Sequence, residues 1–203
     1  MQIYGYWRSG NTRKVRLCLA ELGVGYDFVV VDLAAGGQRA PDYLRINPNG
    51  LVPTLVDGTL TLWESSAILL YLAEKHPQAG LLPQALDERA RVYKWLVWQP
   101  ASFNPPRQRL VAELAKPEAA RDSQAIAALR ASIARNLEIL AEALSGNDYL
   151  LGRYTLADLV MLPHLSALHA AGFGLPGTVR RYLDRLADRP AWQTTLALSA
   201  PPA

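Results

Sequence analysis

Several residue types that define whole classes of protein are scarce in this sequence. One cysteine, Cys18, stands among 203 residues, which excludes an intramolecular disulfide framework and suits a reducing compartment. No apolar run approaches the roughly 18 residues that a transmembrane helix needs. The opening residues MQIYGYWRSG have neither a charged start nor a long apolar stretch, so we expect no signal peptide. We therefore expect a cytoplasmic protein that binds no membrane.

Excess charge is also small, with a formal net charge of +3. The densest basic cluster is Arg13, Lys14 and Arg16. We interpret this cluster as a solvated helix face that also attracts a small anion, because the other basic residues are too scattered to form a nucleic-acid surface. The histidines show no metal-ligand spacing with carboxylates or with the cysteine, so we expect no metal site. These histidines are His76, His164 and His169.

The N-terminal residues have the pattern of a βαβ unit. Residues 2–6 are apolar and aromatic, and residues 27–31 are rich in β-branched side chains, so both predict strands. Between them, apolar residues recur at helical spacing over residues 11–22, and Gly23 is a good C-terminal stop. Cys18 shares this apolar stripe. We interpret it as a buried structural thiol, because burial in apolar surroundings raises a thiol pKa.

The next segment adds a hairpin and a helix. The stretch PDYLRINPNG predicts a short helix and a turn. In VPTLVDGTLTLWES, the pair Asp57-Gly58 separates two apolar strands, which is the strongest short hairpin signal. Residues 65–76 have one apolar helical stripe. This order of elements matches a thioredoxin-like α/β domain with a mixed four-stranded sheet.

The remainder of the chain predicts an all-α domain. Helical spacing recurs over four segments and no convincing strand appears, and Pro163 is expected to kink the helix that Thr155 opens. We expect a thioredoxin-like domain over 1–77, a linker over 78–84 and an all-helical domain over 85–203. The four predicted helical segments are 86–98, 123–145, the segment from Thr155, and 178–187.

The stretch RSGNTRKV lies at the mouth of the first predicted helix. In redox proteins of the thioredoxin fold this turn carries C-x-x-C, and here Ser9 and Thr12 stand at that spacing. Hydroxyl groups cannot exchange disulfides, so we disfavour disulfide chemistry. The free N–H groups at the helix end still suit an anion supplied by a ligand. The alternative is that Ser9 or Asn11 only caps the helix.

Two further segments have both a local and a functional interpretation. Val52-Pro53 precedes a strand, and local sequence favours an ordinary trans bond. In thioredoxin-like folds the residue before a cis-proline here binds an extended peptide through its backbone. Glu64 and Ser65 precede the next helix, where they either cap it or hold the ammonium and carboxylate of an amino-acid head group.

Together, the stretches SGNTRKVRLCLAELG, PNGLVPTLVDG and LWESSAILLYLAEK resemble the N-terminal domain of cytosolic glutathione transferases. The all-α remainder, with its TLADLVML segment, resembles the C-terminal domain of that family. The first loop resembles a serine/asparagine type found in bacterial members. The resemblance implies that Ser9 and Asn11 activate the glutathione sulfur. It also implies a glutathione-binding set of Gln38, Leu51, Val52, Pro53, Glu64 and Ser65.

Some positions depart from the family pattern. Many members carry lysine or histidine near 50–51 to hold the glycyl carboxylate of glutathione, whereas this chain has Gly50 and Leu51, so Gln38 or Arg39 is expected to replace that contact. The tyrosine of tyrosine-type members falls at Gly5, which leaves Tyr6 as a rival to Ser9. The resemblance further implies that Val52-Pro53 is cis and that Asp158 is a buried structural cap.

The resemblance implies a function as well. We expect a homodimeric glutathione transferase, with glutathione as co-substrate and no other cofactor, that adds the thiolate to a small apolar electrophile bound between the domains. Trp98, Phe103 and Arg107, near the proline-rich break, are expected to line the electrophile pocket. The alternatives are a non-catalytic binding or regulatory protein on the same scaffold and a glutathione-dependent isomerase or lyase.

Overall fold

The computed structural model describes residues 1–197, which form two compact units. The first unit comprises Met1–Pro83 and the residues from Ala187 onward, and the second comprises Gln84–Leu186. The division after Pro83 lies inside the predicted linker, 78–84. The described residues from Ala187 onward group with the first unit, although their sequence predicted that they belong to the helical domain.

The first unit contains the mixed four-stranded sheet that the sequence predicts. Its strand order is β2-β1-β3-β4, with β1 parallel to β2 and the other two pairs antiparallel. The hairpin between β3 and β4 turns at Gly58, which takes a φ of 61°. The strands are β1 (Gln2–Gly5), β2 (Asp27–Val30), β3 (Thr54–Asp57) and β4 (Leu60–Trp63).

Helices of the first unit cover this sheet. Ile3 and Leu55 on the central strands and Leu72 on α3 are fully buried and belong to the core. Helix α1 ends at Gly23, which takes the left-handed conformation that a glycine stop allows. The helices are α1 (Gly10–Leu22), α2 (Pro41–Ile46), α3 (Ser65–Lys75) and, near the end of the described chain, α10 (Pro190–Ala197).

Helix α10 joins the first unit because it packs on α1. Arg189, just before α10, donates two hydrogen bonds to the carboxylate of Glu21, at 2.6 Å from Nε and 2.8 Å from the guanidinium NH2 group. The side chain of Glu21 is only 10% exposed, and Trp192 on α10 is 3% exposed. A paired charge and a buried ring therefore fix α10 to α1.

The second unit is all-α, since no strand occurs within Gln84–Leu186. Helix α5 was not predicted from the sequence, because Pro105 and Pro106 suggested only a break. The chain instead continues from α4 into α5 through a π-helical segment, Gln99–Phe103, with right-handed backbone throughout, so the prolines do not end the helix. Pro163 lies in the first turn of α8, which follows α7 through Val160 and Met161, both in the right-handed helical conformation, so the helix that Thr155 opens is interrupted just before the proline. The helices are α4 (Leu86–Trp98), α5 (Asn104–Leu114), α6 (Ser123–Ala143), α7 (Leu156–Leu159), α8 (Leu162–Ala170) and α9 (Gly177–Ala187).

Asp158 organises the start of α7 and is the buried structural cap that the resemblance implies. It is fully buried, and its carboxylate accepts hydrogen bonds from the N–H groups of Leu150 at 2.9 Å and Thr155 at 2.8 Å. Tyr182 on α9 donates a third bond at 3.0 Å. Burial raises the pKa of Asp158, and these hydrogen bonds oppose that rise.

No helix among residues 1–197 is both long and apolar enough to cross a membrane.

Candidate functional site

One small cavity in the first unit, of about 50 Å³, joins the start of α1, the loop before β3, the end of β4 and the start of α3. Six of its lining residues belong to the set that the resemblance implies, and the other three do not. The six are Asn11, Leu51, Val52, Pro53, Glu64 and Ser65, and the three are Asn47, Asn49 and Trp63. Segments separated by up to fifty-odd residues therefore meet where the motifs predict.

Ser9 caps α1, as the local interpretation of the loop predicts. Its Oγ accepts a hydrogen bond from the N–H of Thr12 at 3.4 Å, and its backbone is extended. A serine hydroxyl has one donor and two acceptor lone pairs, so this cap leaves the O–H free to donate to a ligand. Capping and ligand binding by Ser9 are therefore compatible. Neither Ser9 nor Tyr6 is among the described residues that line the cavity.

Asn11 is the residue of this loop that lines the cavity. It stands two positions inside the cap Ser9, in the first turn of α1. The first N–H groups of a helix have no intrahelical partner, and the helix dipole is positive there. The amide of Asn11 and the end of α1 thus provide donors for an anion on the same side of the cavity.

The loop before β3 contributes Val52 and Pro53. The peptide bond between them is cis, as the resemblance implies and against the expectation from local sequence. Leu51, directly before them, is 63% exposed. This loop therefore presents backbone groups at the cavity beside an apolar side chain that faces solvent.

Glu64 joins β4 to α3 in an unusual backbone conformation. Its φ is 71°, and it is the only non-glycine residue among residues 1–197 with a positive φ. Such a conformation costs on the order of 1–3 kcal/mol and occurs mainly at functional sites. It places an exposed carboxylate next to Ser65, which is 7% exposed and opens α3. A carboxylate, a hydroxyl and a positive helix end are therefore adjacent.

The basic cluster on α1 is not a solvated face, so that prediction is wrong. Lys14 is fully buried and Arg16 is 2% exposed. Arg16 donates a hydrogen bond to the hydroxyl of Tyr26 at 3.0 Å and lies 4.9 Å from the ring centroid of Phe28. Burial lowers the pKa of Lys14 to about 7, and the negative charge of Glu64 opposes that shift.

Arg13 is the partly exposed member of the same cluster. Its Nε donates to the carbonyl of Trp7 at 3.0 Å, which ties α1 to the loop before it. Burial, followed by the charges of Arg16 and Arg8, lowers the pKa of Arg13. The mutual repulsion among these cations shows a positive potential around the start of α1, which favours an anion there.

Cys18 is fully buried in α1, as predicted. Burial, with a smaller contribution from the charge of Glu21, raises the pKa of its thiol well above the usual range. A protonated, inaccessible thiol is no nucleophile, so Cys18 serves the core.

Gln38 lies beside the cavity loop without lining the cavity. A Cβ added to Gly50 would lie 3.1 Å from the Gln38 carbonyl oxygen, so the two backbones are adjacent. The side-chain Oε1 of Gln38 is buried and has no hydrogen-bond partner among the described residues. Gln38 is therefore near the predicted glycyl end of the site, with an unused acceptor.

The residues expected to contact the electrophile lie in the second unit. The rings of Trp98 and Phe103 are 5.5 Å apart between centroids. Phe103 is only 3% exposed and packs in the core, whereas Trp98 and Arg107 are partly exposed. Arg107 donates to the Oδ1 of Asn104 at 3.2–3.3 Å, and burial lowers the pKa of its guanidinium. Trp98 and Arg107 are thus the two members of this set that a ligand can reach.

Larger cavities occur elsewhere and carry none of the predicted site residues. Two in the second unit have volumes of about 610 and 550 Å³ and are lined mainly by charged and polar side chains. Within residues 1–197, no group of three histidine, cysteine, aspartate or glutamate side chains is arranged to hold a metal ion. The predicted motifs therefore point to the small cavity and not to either of these larger ones.

Three residues of the cavity escaped the sequence analysis. Trp63 is the last residue of β4, and a tryptophan in a strand does not by itself indicate a site. Asn47 and Asn49 are in the quoted stretch NPNG, which indicates only a turn. The only feature of the sequence that indicates a role for them in the site is that both lie a few residues before Val52.

Comparison with known proteins identifies the family of the chain. The family model described as glutathione S-transferase, N-terminal domain, matches residues 1–74, and the one described as glutathione S-transferase, C-terminal domain, matches residues 123–194. Glutathione S-transferase F10 of Arabidopsis thaliana is 33% identical over 92% of this chain and 92% of its own. Glutathione S-transferase 3 of Zea mays is 34% identical over 97% of this chain and 93% of its own.

A solved structure is similar over almost the same length. The theta class glutathione S-transferase of the citrus canker pathogen Xanthomonas axonopodis pv. citri, solved with glutathione bound, is 36% identical and has a TM-score of 0.87. The similarity covers 96% of this chain and 95% of that chain. The chain belongs to the glutathione S-transferase family.

Proposed function

We propose that the chain is a glutathione transferase that activates glutathione as a thiolate and conjugates it to a small hydrophobic electrophile. The observation that carries this proposal is the meeting of Asn11, Val52 and the Glu64–Ser65 pair at one cavity. Full-length similarity to proteins named glutathione S-transferase supports it.

The γ-glutamyl end of glutathione binds at the start of α3. Glu64 accepts the ammonium group, and Ser65 with the first N–H groups of α3 binds the carboxylate. The backbone of Val52, set by Pro53, pairs with the cysteinyl residue. Gln38 and Leu51 take the glycyl end, where Gln38 offers an amide in place of the basic residue that this chain does not have.

The thiol lies at the start of α1, where Asn11 and Ser9 donate hydrogen bonds to sulfur. A free thiol titrates near pH 8.5, and lowering its pKa to about 6.5 requires about 2.7 kcal/mol of preference for the thiolate. One hydrogen bond to a charged acceptor supplies about 1.5–3 kcal/mol, and a helix N-terminus adds roughly 0.3–1 kcal/mol. The donors present are sufficient without a metal or another cofactor.

The reaction then needs only the electrophile. The thiol releases its proton to solvent, and the thiolate sulfur forms a C–S bond with the electrophilic carbon. Either that carbon expels a leaving group with its electron pair, or, in an unsaturated carbonyl compound, the electron pair of the double bond shifts and the neighbouring carbon takes up a proton from solvent. We assign the electrophile contact to Trp98, Phe103 and Arg107, with Trp98 and Arg107 as the reachable pair.

The setting of the enzyme is part of the same proposal. We propose a cytoplasmic homodimer that binds neither nucleic acid nor membrane. The single cysteine suits a reducing compartment. We also propose that the loop is of the serine/asparagine type of bacterial members. The alternatives, a non-catalytic regulator and an isomerase or lyase, are not favoured by the relatives described above.

Two measurements test the proposal. Titration calorimetry with glutathione measures binding, and a panel of alkyl halides, aryl halides and unsaturated carbonyl compounds measures turnover. We expect saturable binding and conjugation of at least one class. Binding without any turnover would favour the non-catalytic alternative, and absence of binding would contradict the site itself.

A further inference from the structure

Asn47 occupies the centre of a hydrogen-bond network beneath the cavity loop. It is 1% exposed. Its Nδ2 donates to the Leu51 carbonyl at 2.7 Å and to the Thr54 hydroxyl at 3.1 Å. Its Oδ1 accepts from the N–H and from the side-chain amide of Asn49, both at 3.1 Å. An asparagine side chain has two N–H donors and two acceptor lone pairs, so all four are used.

Tyr43 supplies a second anchor for the same carbonyl. Its hydroxyl donates to the Leu51 carbonyl at 2.5 Å and lies 2.9 Å from the Thr54 hydroxyl. Because the Tyr43 proton goes to Leu51, the Thr54 hydroxyl must be the donor in the second contact. Burial raises the pKa of Tyr43, which keeps its phenol protonated as this arrangement requires.

These hydrogen bonds form a closed ring in which every donor has an acceptor. One N–H of Asn47 reaches the Leu51 carbonyl directly, and the other reaches it through the hydroxyls of Thr54 and then Tyr43. Each donor has one acceptor, and both lone pairs of the carbonyl are filled. Thr54 also pairs with Tyr4 in the central strand β1, so the hydrogen-bond network connects the loop to the sheet.

Hydrogen bonds, more than apolar packing, hold the part of the loop from Asn49 to Leu51. Leu51 is 63% exposed and Asn49 is exposed, so neither side chain contributes much burial. The turn between them has one backbone bond, from the Gly50 N–H to the Asn47 carbonyl at 3.0 Å, and Gly50 adopts a φ of 60°. The next residue along, Val52, is the one whose backbone the proposed function requires.

We propose that Asn47 is a positioning residue for glutathione: its amide fixes the Leu51 carbonyl and thereby orients the backbone of Val52 toward the cysteinyl residue. This inference rests on the proposed function. Because Asn47 acts on the peptide contact and not on the sulfur, its loss weakens glutathione binding without changing the chemistry of the bound thiol.

The test compares Asn47→Ala with Asn136→Ala. Asn136 in α6 is 8% exposed, and its Nδ2 donates to the Ser102 carbonyl at 2.9 Å, so this control also removes a buried amide-to-carbonyl bond. The readouts are the glutathione Kd by calorimetry, kcat at saturating glutathione, and the pKa of bound glutathione from thiolate absorbance. Tyr43→Phe is the second variant, because it keeps the ring and removes one anchor.

We expect the glutathione Kd to rise by about 10- to 100-fold in Asn47→Ala, the scale of a small misplacement in a binding site, and by less in Tyr43→Phe. The bound thiol pKa and kcat at saturation stay at wild-type values, and Asn136→Ala keeps the wild-type Kd. An unchanged Kd in folded Asn47→Ala and in Tyr43→Phe would overturn the inference. So would a parallel change of Kd, kcat and thiol pKa. Failure of the wild-type protein to bind glutathione would instead overturn the proposed function.

Discussion

Replacing Lys14 by methionine measures what the buried ammonium group costs the fold. Lys14 is fully buried in α1. Burial lowers its pKa from the ordinary value of 10.5 to about 7 in the folded protein, although the charge of Glu64 partly opposes this. Methionine has a similar unbranched side chain and no charge, so it keeps the volume and removes the desolvated cation.

The magnitude follows from the two pKa values. Each pH unit of difference between folded and unfolded states corresponds to about 1.36 kcal/mol. The fall of the Lys14 pKa from 10.5 to about 7 corresponds to a free-energy penalty for the folded protein. This penalty is about 5 kcal/mol when Lys14 is protonated in both the folded and the unfolded states, and about 4 kcal/mol at pH 7. Because methionine never carries this charge, we expect the free energy of unfolding of Lys14→Met to gain on that of the wild type as the pH falls from about 9 to about 7, by roughly 2–3 kcal/mol.

The sign of the pH dependence is opposite to that of a paired lysine. Between about pH 7 and pH 10.5 the unfolded chain holds the proton and the folded protein has released it. Stability rises with pH wherever the unfolded state binds more protons, with a slope near 1.4 kcal/mol per pH unit. The contribution of Lys14 to the free energy of unfolding of the wild type is therefore lowest below pH 7 and increases toward pH 10.5.

Urea unfolding of both proteins at about pH 7 and about pH 9 provides the assay. We expect a gain of roughly 2–3 kcal/mol for the wild type over this interval, and that gain should be missing from Lys14→Met. Lys116→Met, at an exposed lysine, is the control and should follow the wild type. Parallel pH profiles for wild type and Lys14→Met would refute the reasoning.

Two further substitutions test the contacts that organise each unit. Asp158→Ala leaves the Thr155 N–H and the Tyr182 hydroxyl without their buried acceptor, and we expect it to lower the free energy of unfolding by about 3 kcal/mol or more in urea denaturation. Glu21→Gln removes the charge that binds Arg189, and we expect a loss of about 1.5–3 kcal/mol, with the fluorescence of Trp192 changing at lower urea than in the wild type.

Exposed acidic residues serve as controls for these two predictions. Glu142→Ala replaces an exposed glutamate of α6, and Asp184→Asn removes an exposed pair with Arg180. Surface changes of this kind stay within about 0.5 kcal/mol. A loss as large in the controls as in Asp158→Ala or Glu21→Gln would show that the buried bonds are not the cause.

Much of the sheet and of its flanking helices could be predicted because their signals are local. Short runs of apolar and β-branched residues, the Asp57-Gly58 turn and the stop at Gly23 each act within a few residues. Helix α5 was missed because Pro105 and Pro106 usually end a helix, whereas here a π-helical segment, Gln99–Phe103, continues α4 into α5. The grouping of α10 with the first unit depends on Arg189 meeting Glu21, which is 168 residues away in the chain.

The residues of the site likewise fall into those that sequence motifs predict and those that only the folded structure reveals. Asn11, Val52, Pro53, Glu64 and Ser65 were predictable because three motifs occur in the order and spacing of one family. Asn47 was not, because its importance comes from hydrogen bonds that exist only when the loop is folded over β3.

The prediction for the basic cluster on α1 was wrong. Lys14 and Arg16 were predicted to be solvated because charged residues usually are, and only the packed structure shows that they are buried.

The most direct test of the account is the pKa of glutathione bound to the wild-type protein, read from the absorbance of its thiolate across pH. The account predicts a value near 6.5, with a rise toward the free value of about 8.5 in Asn11→Ala or Ser9→Ala while both variants still bind glutathione. A shift in only one variant assigns the thiol contact to that residue. A shift in neither, with the wild type still near 6.5, would make Tyr6 the residue to replace. A wild-type value near 8.5 would contradict the claim that the start of α1 activates the thiol.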